Sequence, residues 1–328
     1  MSDGQRTSGV IVFVAAGAAF AAGRLVAGRF AAGRRADCAD TGAAATIAAA
    51  RSARNPWSLM PQYNFHSAVS PYPSRIVCLT EETTETLYLL GEGDRVVGVS
   101  GYTVRPPEAR QKPKVSAFIN ARFDKIEALR PDLILGFSDL QADIARELIR
   151  RGYAVYTFNQ RTIAEILQMI RIVGALVGRA QEGAALAARL AADLDAIRDA
   201  ARALPVRPRV FFEEWDDPLI SGIRWVEELV EIAGGEPIFP ELREARLGKQ
   251  RIVAAEDVVS RQPDVIVASW CGKPVRREQI LSRAGWEDVP AIRNAHVYEI
   301  KSALILQPGP AALTDGVRQL REIISRTV

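Results

Sequence analysis

The chain has 328 residues, 48% of them apolar and 25% charged, which suits two globular lobes and excludes a fibrous or wholly disordered polymer. Its net charge of +3 comes from scattered basic residues, with no stripe fit for a nucleic-acid backbone. Three cysteines (Cys38, Cys78 and Cys271) and two histidines (His66 and His296) are too few for a disulfide framework, a zinc clip or most histidine-based triads.

Residues 1–72 read as a signal- or anchor-like segment or as a poorly ordered extension. Val10 to Gly23 is uncharged and rich in Ala and Gly, but shorter than the ~18–20 residues that span a bilayer. Arg24, Arg29, Arg34 and Arg35 follow it instead of a small-residue cleavage site, and the residues before Cys38 do not form a lipidation motif. From residue 24 to 72 the composition is that of a linker. An export signal here puts the protein in the periplasm; without one, it is cytoplasmic.

Residues 73–160 alternate apolar runs with amphipathic stretches, the pattern of parallel βα units. Strands are expected at Arg75–Thr80, Val96–Ser100, Lys114–Ser116, Leu133–Phe137 and Tyr153–Phe158. Helices are expected through Thr86–Leu90, stopping at Gly91, and through Ile144–Arg150, stopping at Gly152. Residues 161–204 open with a capping box, Thr162-Ile163-Ala164-Glu165, and continue as one long connecting helix with a soft point at Gly174 or Gly178. From Gln181 onward it would reach roughly 35 Å, about the width of a small domain. Residues 205–328 form a second lobe. Its strands are expected at Arg209–Phe212, Val265–Ser269 and Val297–Ile300, with helices at Trp225–Ile232 and Ala311–Arg326.

One frame occurs in both lobes: an acid, a short amphipathic helix, a Pro-Asp turn, and an apolar run ending at an aromatic. It runs from Asp124 through Pro131-Asp132 to Phe137, and again from Glu256 through Pro263-Asp264 to Trp270. A continuous apolar run is what a strand covered on both faces requires. The fold class is therefore α/β: two similar lobes with mostly parallel sheets, joined by one long α-helix, with a cleft between them.

Ligands of open α/β sheets bind past the carboxyl ends of the strands. Those positions hold Glu81 to Thr84, Tyr102, Phe118, Phe137 with Ser138, and Asn159 to Arg161 in the first lobe. In the second they hold Glu213 to Asp217 with Trp215, Trp270 with Cys271, and Ser302 to Gln307. Aromatics at strand ends suit a bulky, flat, partly apolar ligand. No G-x-S-x-G elbow, P-loop or H-E-x-x-H motif is present, and Gly91-Glu92-Gly93 reads as a helix stop. Glu213, Glu214, Asp216 and Asp217 form an acidic cluster of the kind that serves proton transfer or a hard metal, but no metal site is expected. Asp124 and Glu256 each stand in the first turn of a helix, where a carboxylate is stabilised by ~0.3–1 kcal/mol and stays exposed to a partner.

From about Ser74 to Thr327 the chain resembles the periplasmic binding proteins of ABC importers that carry cobalamin, haem and ferric siderophores. The resemblance lies in Arg75 to Thr80, Gly91 to Val99, Phe123 to Leu135, Ile220-Ser221-Gly222, Glu231 to Gly235 and the second Pro263-Asp264 frame. Glu214 to Trp225 and Ile305 to Pro310 resemble the cobalamin-binding members in particular, although Leu219 and Gln250 replace aromatics found in better-known ones. The resemblance implies two lobes on a single long helix with little hinge motion, no enzymatic step and no required cofactor. It implies a corrinoid or related metal chelate held by Tyr102, Phe118 and Phe137, to which the strand-end positions add Trp215, Trp270 and Gln307. It also implies a monomer that docks on a membrane permease through Asp124 and Glu256. The alternatives are a haem- or ferric-siderophore-binding protein, a cytosolic corrinoid carrier, and a tetrapyrrole chelatase-like enzyme using Glu213, Glu214, Asp216 or Cys271.

Overall fold

A computed structural model of the chain describes residues 70–328. The expectations for Val10–Gly23, Cys38 and the linker up to residue 69 lie outside the described residues.

The first lobe runs β1 (Ile76–Cys78), α1 (Glu81–Leu89), β2 (Val96–Ser100), β3 (Lys114–Ala117), β4 (Asn120–Ala121), α2 (Phe123–Leu129), β5 (Leu133–Phe137), α3 (Ala142–Arg150) and β6 (Val155–Phe158). Its sheet order is β4-β3-β2-β1-β5-β6, parallel except for the short β3–β4 pair. Helix α1 begins at Glu81, five residues before the predicted start at Thr86. The polar run Glu81-Glu82-Thr83-Thr84 reads as loop in sequence, but carboxylates in a first turn favour a helix start.

Residues 161–204 form two helices where a single helix is expected: α4 (Ile163–Leu176) and α5 (Ala180–Ala201). The predicted capping box is present at Thr162 and Glu165. The chain turns at Gly178, whose φ of +78° only glycine adopts freely. The helices then cross so closely that a Cβ on Gly174 would stand 2.9 Å from the Gly183 Cα. The 22-residue α5 is the long connector.

The second lobe runs β7 (Arg209–Asp216), β8 (Leu219–Ser221), α6 (Arg224–Ala233), β9 (Glu236–Pro237), α7 (Ala255–Arg261), β10 (Val265–Ala268), α8 (Arg277–Leu281), α9 (Pro290–Arg293), β11 (Val297–Glu299), α10 (Ser302–Ile305) and α11 (Val317–Ser325). Strands β11, β10 and β7 are parallel neighbours; β8 (antiparallel) and β9 (parallel) also pair with β7.

The repeated frame is repeated in its atoms. Asp132 accepts backbone N–H bonds from Ser74 and Arg75 at the foot of β1 (2.8 and 2.9 Å). Asp264 accepts one from Arg209 at the foot of β7 (2.8 Å). The preceding helices both end in a left-handed residue, Arg130 and Gln262. Each frame thus ties a helix end to the base of its sheet's central strand.

Each sheet is covered on both faces. One apolar core runs from Ile76 and Leu87 through Ile166, Val173, Leu186 and Leu190 to Phe212, Trp225 and Leu320. Smaller cores cover the far faces, around Val77, Ile126 and Ile134 in one lobe and Phe211, Ile266 and Trp286 in the other. Because the largest core threads both lobes through α4 and α5, parting them would expose apolar surface at ~25 cal/mol per Å². Among the described residues no helix is long and apolar enough to cross a membrane.

Candidate functional site

The carboxyl ends of the two sheets meet along one seam. The Gln160 amide, just past β6, donates to the Pro308 carbonyl at 3.0 Å. The Glu85 carboxylate accepts from the Ala311 N–H (3.0 Å) and from Arg105 (2.9 Å), which also pairs with Asp315 (2.7 Å). Gly309 lies against the first turn of α1, and the Ile163 N–H at the head of α4 donates to Glu228 on α6 (2.8 Å). These bonds fix the angle between the lobes. Arg105 and Glu228 belong to no sequence motif; the Pro308-Gly309-Pro310 run is a legible hint of a stiff, close-fitting loop.

The first lobe brings Tyr102, Phe118 and Phe137 to this edge. Gln141 couples the last two: its amide donates to the Phe118 carbonyl (2.6 Å) while its oxygen accepts the Phe137 N–H (2.9 Å). Tyr102 is 53% exposed and Phe118 is half-buried. Phe137 is only 4% exposed and is capped by the Arg161 guanidinium, 5.0 Å from its ring.

The second lobe brings Trp215, Cys271 and Gln307 to the other rim. Trp215 is half-buried and anchors its indole N–H on the Asp217 carbonyl (2.9 Å). Trp270 is 2% exposed, with its indole N–H on Glu213 (3.0 Å). The Lys273 ammonium sits between the two indoles, 4.1 Å from the Trp215 ring and 4.8 Å from the Trp270 ring, and is paired with Asp216 at 2.5 Å. Sequence reading missed Lys273, because nothing in a Cys-Gly-Lys turn indicates where the ammonium folds back. Gln307 is half-buried at the seam, beside Pro308.

The acidic run of β7 is dispersed by the two-residue alternation of a strand. Glu213 is buried beneath a bidentate Arg283 pair (2.5 and 2.8 Å), and Glu214 pairs with Arg251 (2.7 and 2.9 Å). Asp216 holds Lys273, and Asp217 is exposed. Four acids adjacent in sequence therefore do not converge on one point. Among the described residues no group of three or more His, Cys, Asp or Glu could hold a metal ion.

Several ionisable groups at the cleft are shifted. Burial raises the Glu81 carboxyl, and burial with the neighbouring Glu81 charge raises Glu82 to about 8. Desolvation lowers Arg161, and the charges of Arg246 and Arg251 from the second lobe act in the same direction. Cys271 reaches solvent, yet desolvation and then the Glu214 and Glu81 carboxylates push its thiol up. A groove of about 540 Å³, lined by Arg198, Arg202, Glu228 and Glu231 among others, lies between α5 and α6 and includes none of these aromatics.

Asp124 and Glu256 are both exposed in the first turns of α2 and α7, and neither is ion-paired among the described residues.

Two α/β sheets linked by the helices α4 and α5, with their carboxyl ends meeting at a seam, define a solute-binding architecture, and the chain belongs to the periplasmic binding protein family, whose model matches residues 76–304. It is similar to an uncharacterized ABC transporter substrate-binding lipoprotein of Bacillus subtilis (strain 168), with 28% identity over 77% of this chain and 80% of that one. It is also similar to a vitamin B12-binding protein of Vibrio vulnificus (strain YJ016), with 27% identity over 73% of this chain and 86% of that one. Among solved structures, a periplasmic heme-binding protein from Roseiflexus sp. RS-1 in apo form superposes with a TM-score of 0.67 at 25% identity, covering 76% of this chain and 99% of that one.

Proposed function

We propose that this protein captures a corrinoid, or a related metal chelate such as haem, in the cleft between its lobes and delivers it to the membrane permease of an ABC importer without chemical change. The observation that carries this reading is the seam where the carboxyl ends of the two sheets meet, with the partly exposed rings of Tyr102 and Phe118 in one lobe and Trp215 in the other. Ring faces on both rims suit a flat macrocycle held by desolvated contact area. The vitamin B12-binding and heme-binding relatives support the same class of cargo.

In this reading Phe137 joins the site when Arg161 swings off its ring, Trp270 supports Trp215 from the core beneath it, and Gln307 supplies a polar contact at the seam. Asp124 and Glu256, one per lobe, dock the loaded monomer on two-fold related basic groups of the permease. The protein works in the periplasm, where its cargo arrives. Titration of the purified protein with cobalamin, haem and ferric siderophores tests the reading, which predicts saturable binding of at least one.

A further inference from the structure

Arg161, Arg251 and Arg283 are all largely withdrawn from solvent, but only two of them are paired in full. Arg251 grips Glu214 through both Nη1 and Nη2, and Arg283 grips Glu213 in the same two-pronged way. Arg161 is 8% exposed and has no such partner. Its Nη2 donates to the Ser138 hydroxyl (3.0 Å) and reaches one oxygen of Asp139 at 3.3 Å, and Asp139 is itself exposed. Nε is buried with no partner, and Nη1 makes no hydrogen bond among the described residues. Glu165, the other acid whose charge reaches Arg161, is committed by the capping box to the Arg161 and Thr162 N–H groups. A guanidinium taken out of water without a carboxylate in good geometry is strongly unfavourable. An oxyanion in its fork would offset that penalty.

The place of that fork is set by its neighbours. Gln160 on one side is bonded to Pro308, and Ile163 on the other to Glu228, both across the seam, so Arg161 stands where the lobes meet. Its side chain runs back over the Phe137 ring at the carboxyl end of β5, with the guanidinium carbon 5.0 Å from the ring centre. Ser138, which holds Nη2, has φ +74° and ψ 155°, a region that only glycine enters without strain. Arg246 and Arg251 of the second lobe add positive potential here, which favours the arrival of an anion. We infer that Arg161 binds an oxyanion of the cargo, a carboxylate or phosphate carried at the edge of the macrocycle, and that this anion draws the guanidinium off Phe137. This rests on the reading of the cleft as a macrocycle site and narrows the cargo to one that bears an acid group. No covalent bond changes: the single long contact to Asp139 gives way to a two-pronged ion pair, and the uncovered Phe137 ring packs on the cargo.

The test uses the full chain and two matched pairs of compounds. Haem is compared with haem dimethyl ester, whose carboxylates are masked, and cyanocobalamin with dicyanocobinamide, which lacks the phosphodiester. The first pair reports on a carboxylate and the second on a phosphate. In the wild type the acid-bearing member of at least one pair should bind about tenfold or more tightly than its counterpart. In Arg161→Met, which keeps an apolar stem over Phe137, that preference should fall to about threefold or less. Arg161→Lys keeps the charge and loses the fork, so its preference should lie between the two, and it decides the matter if Arg161→Met does not fold. Equal affinities within both pairs in the wild type, or a preference that the variants do not lower, would overturn oxyanion binding by Arg161 and leave the cargo reading in place. Failure of all four compounds to bind would overturn both this proposal and the macrocycle reading it rests on.

Discussion

Gly309 of the second lobe lies against Glu82 of the first, so closely that a Cβ on Gly309 would stand 2.5 Å from the Glu82 Cβ and 3.0 Å from its Cα. Backbone is the obstacle there, and a flexible side-chain end could not simply move aside. Gly309→Ala is therefore expected to wedge the lobes apart and destabilise the protein by about 1–3 kcal/mol, as overpacking does. A denaturant melt measures this, and an unchanged midpoint would show the seam to be looser than described.

Beneath that contact, Glu82 is held at about 8, against an ordinary value of 4.5, by burial and the adjacent Glu81, while Thr80 donates to it at 2.6 Å. Glu227 under the second lobe is raised to about 8 by burial, partly offset by Arg243 and Arg251. A carboxyl whose folded value lies above its unfolded one binds its proton more tightly in the native state. Its contribution is therefore complete below about pH 4.5 and is lost as pH rises through about 8. The thermal midpoint of the wild type should fall across that window, and Glu82→Gln with Glu227→Gln should flatten the fall. An equal slope in the double variant would contradict this account.

Trp215 and Trp270 should respond differently to truncation. Trp215 is half-buried on the rim, so Trp215→Ala should weaken cargo binding by about 1–3 kcal/mol with little change in stability. Trp270 is packed in the core with its N–H on Glu213, so Trp270→Ala should destabilise by about 3–5 kcal/mol and leave Glu213 short of one donor. Paired melts and titrations separate the two effects.

The exposed acids Asp124 and Glu256 lie on helices equivalent in the two lobes and carry no ion pair among the described residues. Replacing both with Ala should leave cargo affinity intact and reduce uptake in a reconstituted importer. Loss of affinity would place the acids in the cleft; normal uptake would remove them from docking.

The repeated frame was legible because its parts are local and strongly patterned. A Pro-Asp turn before a continuous apolar run can hardly be read any other way, and Asp132 and Asp264 close onto matching strand feet. Strand β9 escaped notice because it has two residues and one is a proline, and β8 because it exists only by pairing with β7. The break at Gly178 was readable as a soft point, but the close crossing of α4 and α5 depends on Gly174 meeting Gly183, a contact with no helical periodicity of its own. Strand-end reasoning picked out Tyr102, Phe118 and Trp215, which lie partly or largely exposed past the strands. It could not see that Arg161 caps Phe137 or that Lys273 fills the space between Trp215 and Trp270, because both side chains fold back from positions with no pattern.

The most direct test of cargo capture between the lobes is a tryptophan-fluorescence titration of the purified protein, corrected for absorbance, with cobalamin, haem and a ferric siderophore in turn. Saturable quenching at about micromolar concentration or below by at least one of them is the predicted result. A flat response to all three would contradict it.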